Sequence, residues 1–196
     1  MPVLQPEPAL FPQHLFTGDV IPPESEGRVW SVLHTRPRQE KSLARELYSR
    51  EVPFYLPLVP RHTRLHRRTF TSYVPLFPGY VFLLAEQQER VTALSTSRVI
   101  RTLSVMDQEG LRRDLQQVHR LIATKAPLTL EGALAPGGLV EITSGPLAGL
   151  RGKIVRGTSG YRFVVEVNFL QQGASILVEG STLTRIEGEL LERAGA

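Results

Sequence analysis

Apolar and polar positions alternate along this chain in two rhythms, and the places where the rhythm changes mark its elements. Val29 to His34 is a short run rich in bulky side chains, which predicts a strand. A helix is expected from Pro37, since proline is tolerated in a first turn, through to Arg50. Within it Leu43, Ala44, Leu47 and Tyr48 fall on one face, while Arg38, Lys41, Arg45 and Ser49 fall on the other. Phe54 to Val59 returns as a strand, made irregular or confined to a sheet edge by Pro53, Pro57 and Pro60. Arg61 to Ser72 reads as the polar, basic tip of a hairpin whose second strand is Gly79 to Leu84. A helix over Gln87–Ser95, a strand over Val99–Ser104 and a helix over Gln108–Lys125 complete the series. The last carries Leu111, Leu115, Val118 and Ile122 at spacings of three and four. The order β-α-β-β-α-β with a terminal helix suits a ferredoxin-like α/β sandwich.

The flanking segments differ in texture. Residues 1–27 carry six prolines and no periodicity, so they are expected to be a disordered or irregular extension. Residues 126–138 contain Pro127, Pro136 and three glycines and read as a linker. Residues 139–187 show five short runs divided by glycine turns: Leu139–Thr143, Lys153–Val155, Phe163–Asn168, Ser175–Glu179 and Thr182–Ile186. Short strands at this density predict a small β-barrel, because closure removes exposed sheet edges. Residues 188–196 are a tail. The fold class is therefore α+β, with an α/β domain over residues 28–125 and a small β-barrel after it.

Composition narrows the chemistry. The chain has no cysteine, so disulfides, thiolate metal sites and cysteine nucleophiles are excluded. No apolar run reaches the roughly 20 residues needed to span a bilayer, and no signal peptide opens the sequence, so a cytoplasmic protein without membrane association is expected. Net charge is only +4, but it is unevenly placed: Trp30 to Arg68 holds nine Lys/Arg against three Glu, or +6, which leaves −2 elsewhere. A concentrated positive region favours a polyanion. His34, His62, His66 and His119 make no metal-ligand pattern. Ser144-Gly145-Pro146 lacks nucleophile-elbow spacing, and the glycine-rich turn has no Gly-Lys-Ser/Thr ending. No enzyme, cofactor or metal is expected.

Two motifs carry identity. Pro75-Leu76-Phe77-Pro78-Gly79-Tyr80-Val81-Phe82 sets aromatic side chains beside the basic segment Arg61–Arg68. Ser144-Gly145-Pro146-Leu147-Ala148-Gly149-Leu150-Arg151-Gly152 is a glycine-punctuated turn between two strands. With Trp30-Ser31-Val32-Leu33-His34-Thr35 as an opening strand and Arg36-Pro37-Arg38-Gln39-Glu40-Lys41 as a helix start, the layout resembles the NusG family of transcription elongation factors. The resemblance covers Val29 to Ile186; Val140 to Glu166 is similar to a KOW motif, and Leu139 to Ile186 resembles the SH3-like β-barrel that holds it.

The resemblance implies that the N-terminal domain grips the clamp helices of the RNA polymerase β′ subunit in an apolar depression. It puts Tyr80 and Phe82 in that depression and Phe77, Leu76 and Tyr55 on its walls. It implies that Arg36, Arg38, Lys41, Arg45 and Arg98 contact nucleic acid, such as the non-template DNA strand, through phosphates. The KOW barrel would recruit the termination factor Rho or a small-subunit ribosomal protein, with Phe169 and Leu170 in the recruiting loop. Leu76 and the Pro-Arg-Gln-Glu-Lys opening resemble specialised members serving particular operons by antitermination. A switch of the barrel to helix is disfavoured by six glycines from Gly145 to Gly173. The chain is expected to act as a monomer. The competing reading, a ribosome-associated RNA-binding KOW protein, leaves the Pro75–Phe82 segment without a role.

Overall fold

In the computed structural model the described residues are 7–17, 27–65, 68–126, 128–131, 139–145, 147–157, 160–177 and 183–185. The chain divides into two compact units, Met1–Arg112 and Arg113–Ala196.

The first unit begins with strand β1 (Leu10–Phe11) and continues through β2 (Val29–Thr35), helix α1 (Glu40–Ser49) and β3 (Phe54–Tyr55). Then come β4 (Leu58–Leu65), β5 (Arg68–Pro75), β6 (Tyr80–Ala85), α2 (Gln87–Ser95) and β7 (Val99–Ser104). Five strands form an antiparallel sheet in the order β1-β3-β6-β2-β7, while β4 and β5 pair only with each other. Register fixes what each face carries, because side chains alternate along a strand. Val32 lies opposite Phe82, Trp30 opposite Leu84, His34 opposite Tyr80, Tyr55 opposite Phe82 and Leu10 opposite Tyr55. These residues share one face. On the other, Leu33, Phe54, Val81, Leu83 and Ala85 pack with Leu43, Ala44 and Leu47 of α1 and Ala93 of α2. Both faces of the central strands are thus buried, which is why Val81 to Ala85 is apolar without interruption.

Helix α3 (Gln108–Ala123) spans the division between the units. Its first residue is clamped to β2: Gln108 Oε1 accepts from the Trp30 amide at 2.6 Å, and Nε2 donates to the Trp30 carbonyl at 3.0 Å. The second unit adds β8 (Thr129–Glu131), β9 (Leu139–Ile142), β10 (Arg151–Gly157), β11 (Gly160–Val167), β12 (Gln172–Leu177) and β13 (Leu183–Arg185). They form one antiparallel sheet in the order β13-β9-β10-β11-β12-β8. Phe163, Val164, Val165, Val167, Ala174 and Ile142 are among its buried residues, and Leu150, just before β10, is buried with them.

Four expectations from sequence change. The extension over residues 1–27 is not wholly irregular: Leu10–Phe11 pairs with β3, and Leu15 and Phe16 are buried. Its residues 1–6 and 18–26 lie outside the described residues. Arg61–Ser72 is not a loop tip but most of a two-stranded ribbon, and its residues 66–67 lie outside the described residues. Each strand of such a ribbon keeps a free edge, where a proline such as Pro60 is tolerated. In the linker, Thr129–Glu131 pairs with β12, and 132–138 lies outside the described residues. Helix α1 starts at Glu40 rather than Pro37, because Arg38 takes a φ of +62°, which no helix contains. The tail at 188–196 lies outside the described residues.

Candidate functional site

The Pro-Gly turn between β5 and β6 is held from three directions. Gly79 has a φ of +85°, a conformation open to glycine at little cost. Its amide donates to Glu40 Oε1 at 2.7 Å, and its carbonyl accepts from the Thr35 amide at 2.8 Å. The Tyr80 amide donates to the Phe77 carbonyl at 3.2 Å, closing the turn. Glu40 is buried and opens α1, so the helix N-terminus and the turn share one carboxylate.

An array of rings extends from this turn. Tyr80 stacks on His34 with centroids 5.3 Å apart. Phe82 meets Phe77 edge-on at 6.1 Å and Tyr55 at 6.4 Å. Tyr55 meets Phe16 edge-on at 4.9 Å, and Phe16 stacks on Trp30 at 6.1 Å with the rings 3° from parallel. Burial pushes the Tyr55 phenol far above its ordinary pKa, so it stays neutral at any physiological pH.

Burial divides the expected polymerase-binding set. Phe82, Phe77, Leu76 and Tyr55 are all buried, and only Tyr80 keeps partial exposure. Part of the cover on this sheet face is the N-terminal segment, where Phe16 lies over Trp30 and Tyr55. An apolar pair at Leu15-Phe16 inside a proline-rich stretch was the available signal.

The expected nucleic-acid set also divides. Arg36 and Arg38 are exposed and Lys41 is partly exposed. Arg45 is instead engaged with Glu7 through Nη1, 2.9 Å from each carboxylate oxygen. Arg98 donates through Nε to Ser42 Oγ at 2.8 Å and lies 3.8 Å from Glu46. Arg45 thus ties the N-terminal segment to α1 while remaining exposed, and Arg98 ties the approach to β7 to α1.

In the second unit the glycine-punctuated turn is built as a tight loop. Gly145 and Gly149 take φ values of +81° and +79°, and the Gly149 amide donates to the Ile142 carbonyl at 2.7 Å. Gly152 follows where no side chain fits, since a Cβ there would press on the Val164 carbonyl oxygen and come within 2.9 Å of the Phe163 ring. Phe169 and Leu170 sit in a single 3₁₀ turn, Asn168–Leu170, and both are partly exposed. Asn168 anchors that turn by donating to Asp114 Oδ2 from its amide and its Nδ2, at 2.9 and 3.1 Å.

With the sheet, the turn and the β unit described, comparison with known proteins gives the class. The family model described as transcription termination factor nusG matches residues 28–131, more than half of the chain. The chain belongs to the NusG family, a family of transcription factors. Among solved structures it is similar to Thermotoga maritima NusG, in a structure concerned with domain interaction. The identity is 19% and the TM-score 0.47, over 83% of this chain and 99% of that one. It is also similar to a chain of an MjSpt4:Spt5 complex, at 17% identity and a TM-score of 0.26, over 80% of this chain and 96% of that one. No curated protein matches the sequence.

Proposed function

We propose that this chain is a transcription elongation factor that binds RNA polymerase through its first domain and recruits a second factor through its last. The observation that carries the reading is the Pro78-Gly79 turn. A buried carboxylate and a neighbouring strand hold it, and it presents Tyr80 at the edge of a buried aromatic array inside the region matched to the family. A rigidly mounted aromatic is the kind of residue that dominates an interface.

On this reading residues 28–125 are the polymerase-binding domain, of ferredoxin-like build. Residues 126–138 connect it to a KOW domain over 139–187, an SH3-like barrel. The antiparallel strand order of the first sheet and the glycine turns of the second support these assignments. Tyr80 makes the contact with the β′ clamp helices, and the buried Phe77, Phe82, Leu76 and Tyr55 hold its mounting. Arg36, Arg38 and Lys41 face the non-template strand. Phe169 and Leu170 recruit Rho or a small-subunit ribosomal protein, and the factor favours processive elongation of particular operons in the cytoplasm.

The test is Tyr80→Ala measured against purified polymerase core enzyme. A fold intact by circular dichroism with affinity reduced about tenfold or more, and readthrough lost in a transcription assay, supports the reading. Undiminished binding by the folded variant overturns it.

A further inference from the structure

The β4–β5 ribbon carries a second feature that the polymerase contact does not use. From Val52 to Ala85 the sequence contains no Asp or Glu, yet that stretch holds Arg61, Arg64, Arg67 and Arg68. Several arginines elsewhere are paired: Arg28 with Glu89, Arg45 with Glu7, Arg50 with Glu46, Arg151 with Glu141. Arg61, Arg64 and Arg68 are exposed and form no ion pair with any described residue. Two of the chain's exposed aromatics stand among them, Phe70 at 53% and Tyr73 at 54% exposure.

Register sorts these residues by face. Phe70 lies opposite Thr63, Arg61 opposite Ser72 and Leu65 opposite Arg68. Residues two apart on one strand share a face, so Arg68, Phe70 and Ser72 stand in line at intervals of roughly 7 Å. Arg61 is then the diagonal neighbour of Phe70. A solvent-exposed ring is thus flanked on both sides by uncompensated guanidinium groups, with the Thr63 hydroxyl beside it. Tyr73 belongs to the opposite face with His62 and Arg64, and there the His62 ring is already engaged by Thr71 Oγ1 at 3.0 Å.

We propose that the Phe70 face of this ribbon is a binding platform for single-stranded nucleic acid. One base stacks on Phe70 and the phosphates on either side are held by Arg61 and Arg68. The chemistry favours a strand whose bases are unpaired: a ring with an open face offers area to a base plane, which a duplex hides within its stack. Arginine adds charge and planar hydrogen-bond donors for phosphate. The freedom from acidic residues removes the repulsion that would oppose a polyanion. Its residues are distinct from Tyr80 and from Arg36, Arg38 and Lys41, and binding there does not depend on the polymerase reading.

The test uses the full chain without polymerase and follows fluorescence anisotropy of labelled oligo-dT, oligo-U and a mixed duplex, each of about a dozen nucleotides. Tighter binding of the single strands than of the duplex is expected, and comparing dT with U tells whether DNA or RNA is preferred. Phe70→Ala should weaken that binding about tenfold, while Phe70→Trp retains it. Arg61→Gln combined with Arg68→Gln should flatten the slope of log affinity against log salt by about 1.4. Tyr73→Ala, on the other face, should leave affinity nearly unchanged. Equal affinity for duplex and single strands, or single-strand binding indifferent to Phe70→Ala in a folded variant, overturns the platform. So does an absence of oligonucleotide binding, including the case in which Phe70→Ala weakens only polymerase binding. None of these results touches the Tyr80 assignment, which is read with polymerase alone.

Discussion

The carboxylate of Glu40 receives the amide of Gly79 at 2.7 Å, joining residues 39 positions apart in sequence. One end of the bond opens helix α1 and the other is the left-handed residue of the Pro-Gly turn. Through it the direction in which Tyr80 leaves the turn is tied to the position of the helix. A surface contact residue so mounted loses little freedom on binding, which lowers the cost of association.

Cutting that tie should be felt first as stability. Glu40→Ala strands the partly buried Gly79 amide, and leaving such a donor unsatisfied costs up to about 1–3 kcal/mol. Gly79→Ala leaves room for the new methyl, with His34 Cδ2 at 3.6 Å, but forces an L-residue to a φ of +85°, at a cost of about 1–2 kcal/mol. Urea denaturation checks both, and midpoints equal to the parent chain would show that the turn holds itself.

Phe16 offers a second handle, because the chain's one tryptophan is stacked beneath it. Trp30 is 1% exposed, so its emission reports whether the N-terminal segment is seated. Phe16→Ala removes a buried ring and should destabilise the first unit by about 3–5 kcal/mol. It should also shift Trp30 emission to the red in the folded protein. An emission maximum unmoved by the substitution would mean that other side chains cover the indole.

Stability should fall toward acid through Glu89. Its hydrogen bond from the Arg28 guanidinium, seen as contacts of 2.8 and 2.7 Å, holds the carboxyl below its ordinary pKa, and the Glu86 amide adds to this. A carboxylate whose folded pKa is depressed contributes stability that is present above the unfolded value. That contribution is lost as pH falls through the folded one. Glu89→Gln should therefore lower the urea midpoint at neutral pH, and the gap to the parent chain should close in the acid range below the ordinary glutamate pKa. A gap independent of pH would assign the effect to the capping of α2 instead of to charge.

Gly152→Ala should disrupt the second unit selectively. The added methyl presses on the Val164 carbonyl oxygen and the buried Phe163 ring, neither of which is a flexible side-chain end. Overpacking of this kind costs about 1–3 kcal/mol or more. Amide spectra should lose the dispersed signals of Arg151–Gly157 and Gly160–Val167 while those of Val29–Thr35 persist. Retention of both sets would place the strain elsewhere.

Where a local period decides structure, the sequence was sufficient. Gln87–Ser95 and Val99–Ser104 form over the expected residues, and α3 follows its apolar spacing from Gln108. The Pro75–Phe82 segment and the glycine-punctuated Ser144–Gly152 turn, in that order, pointed to the family, since each motif is contiguous in sequence. What remained for the tertiary structure was which side of each ring meets solvent. Val81 to Ala85 is apolar on both faces, so alternation could not say that Phe82 would be covered. Its cover comes through Tyr55, Phe77 and, beyond them, Phe16, in contacts between residues far apart in sequence. The pairing of Arg45 with Glu7 and the seating of Glu40 against Gly79 are of the same kind. Periodicity records how a residue relates to its neighbours along the chain, whereas burial and ion pairing are settled by segments that meet only after folding.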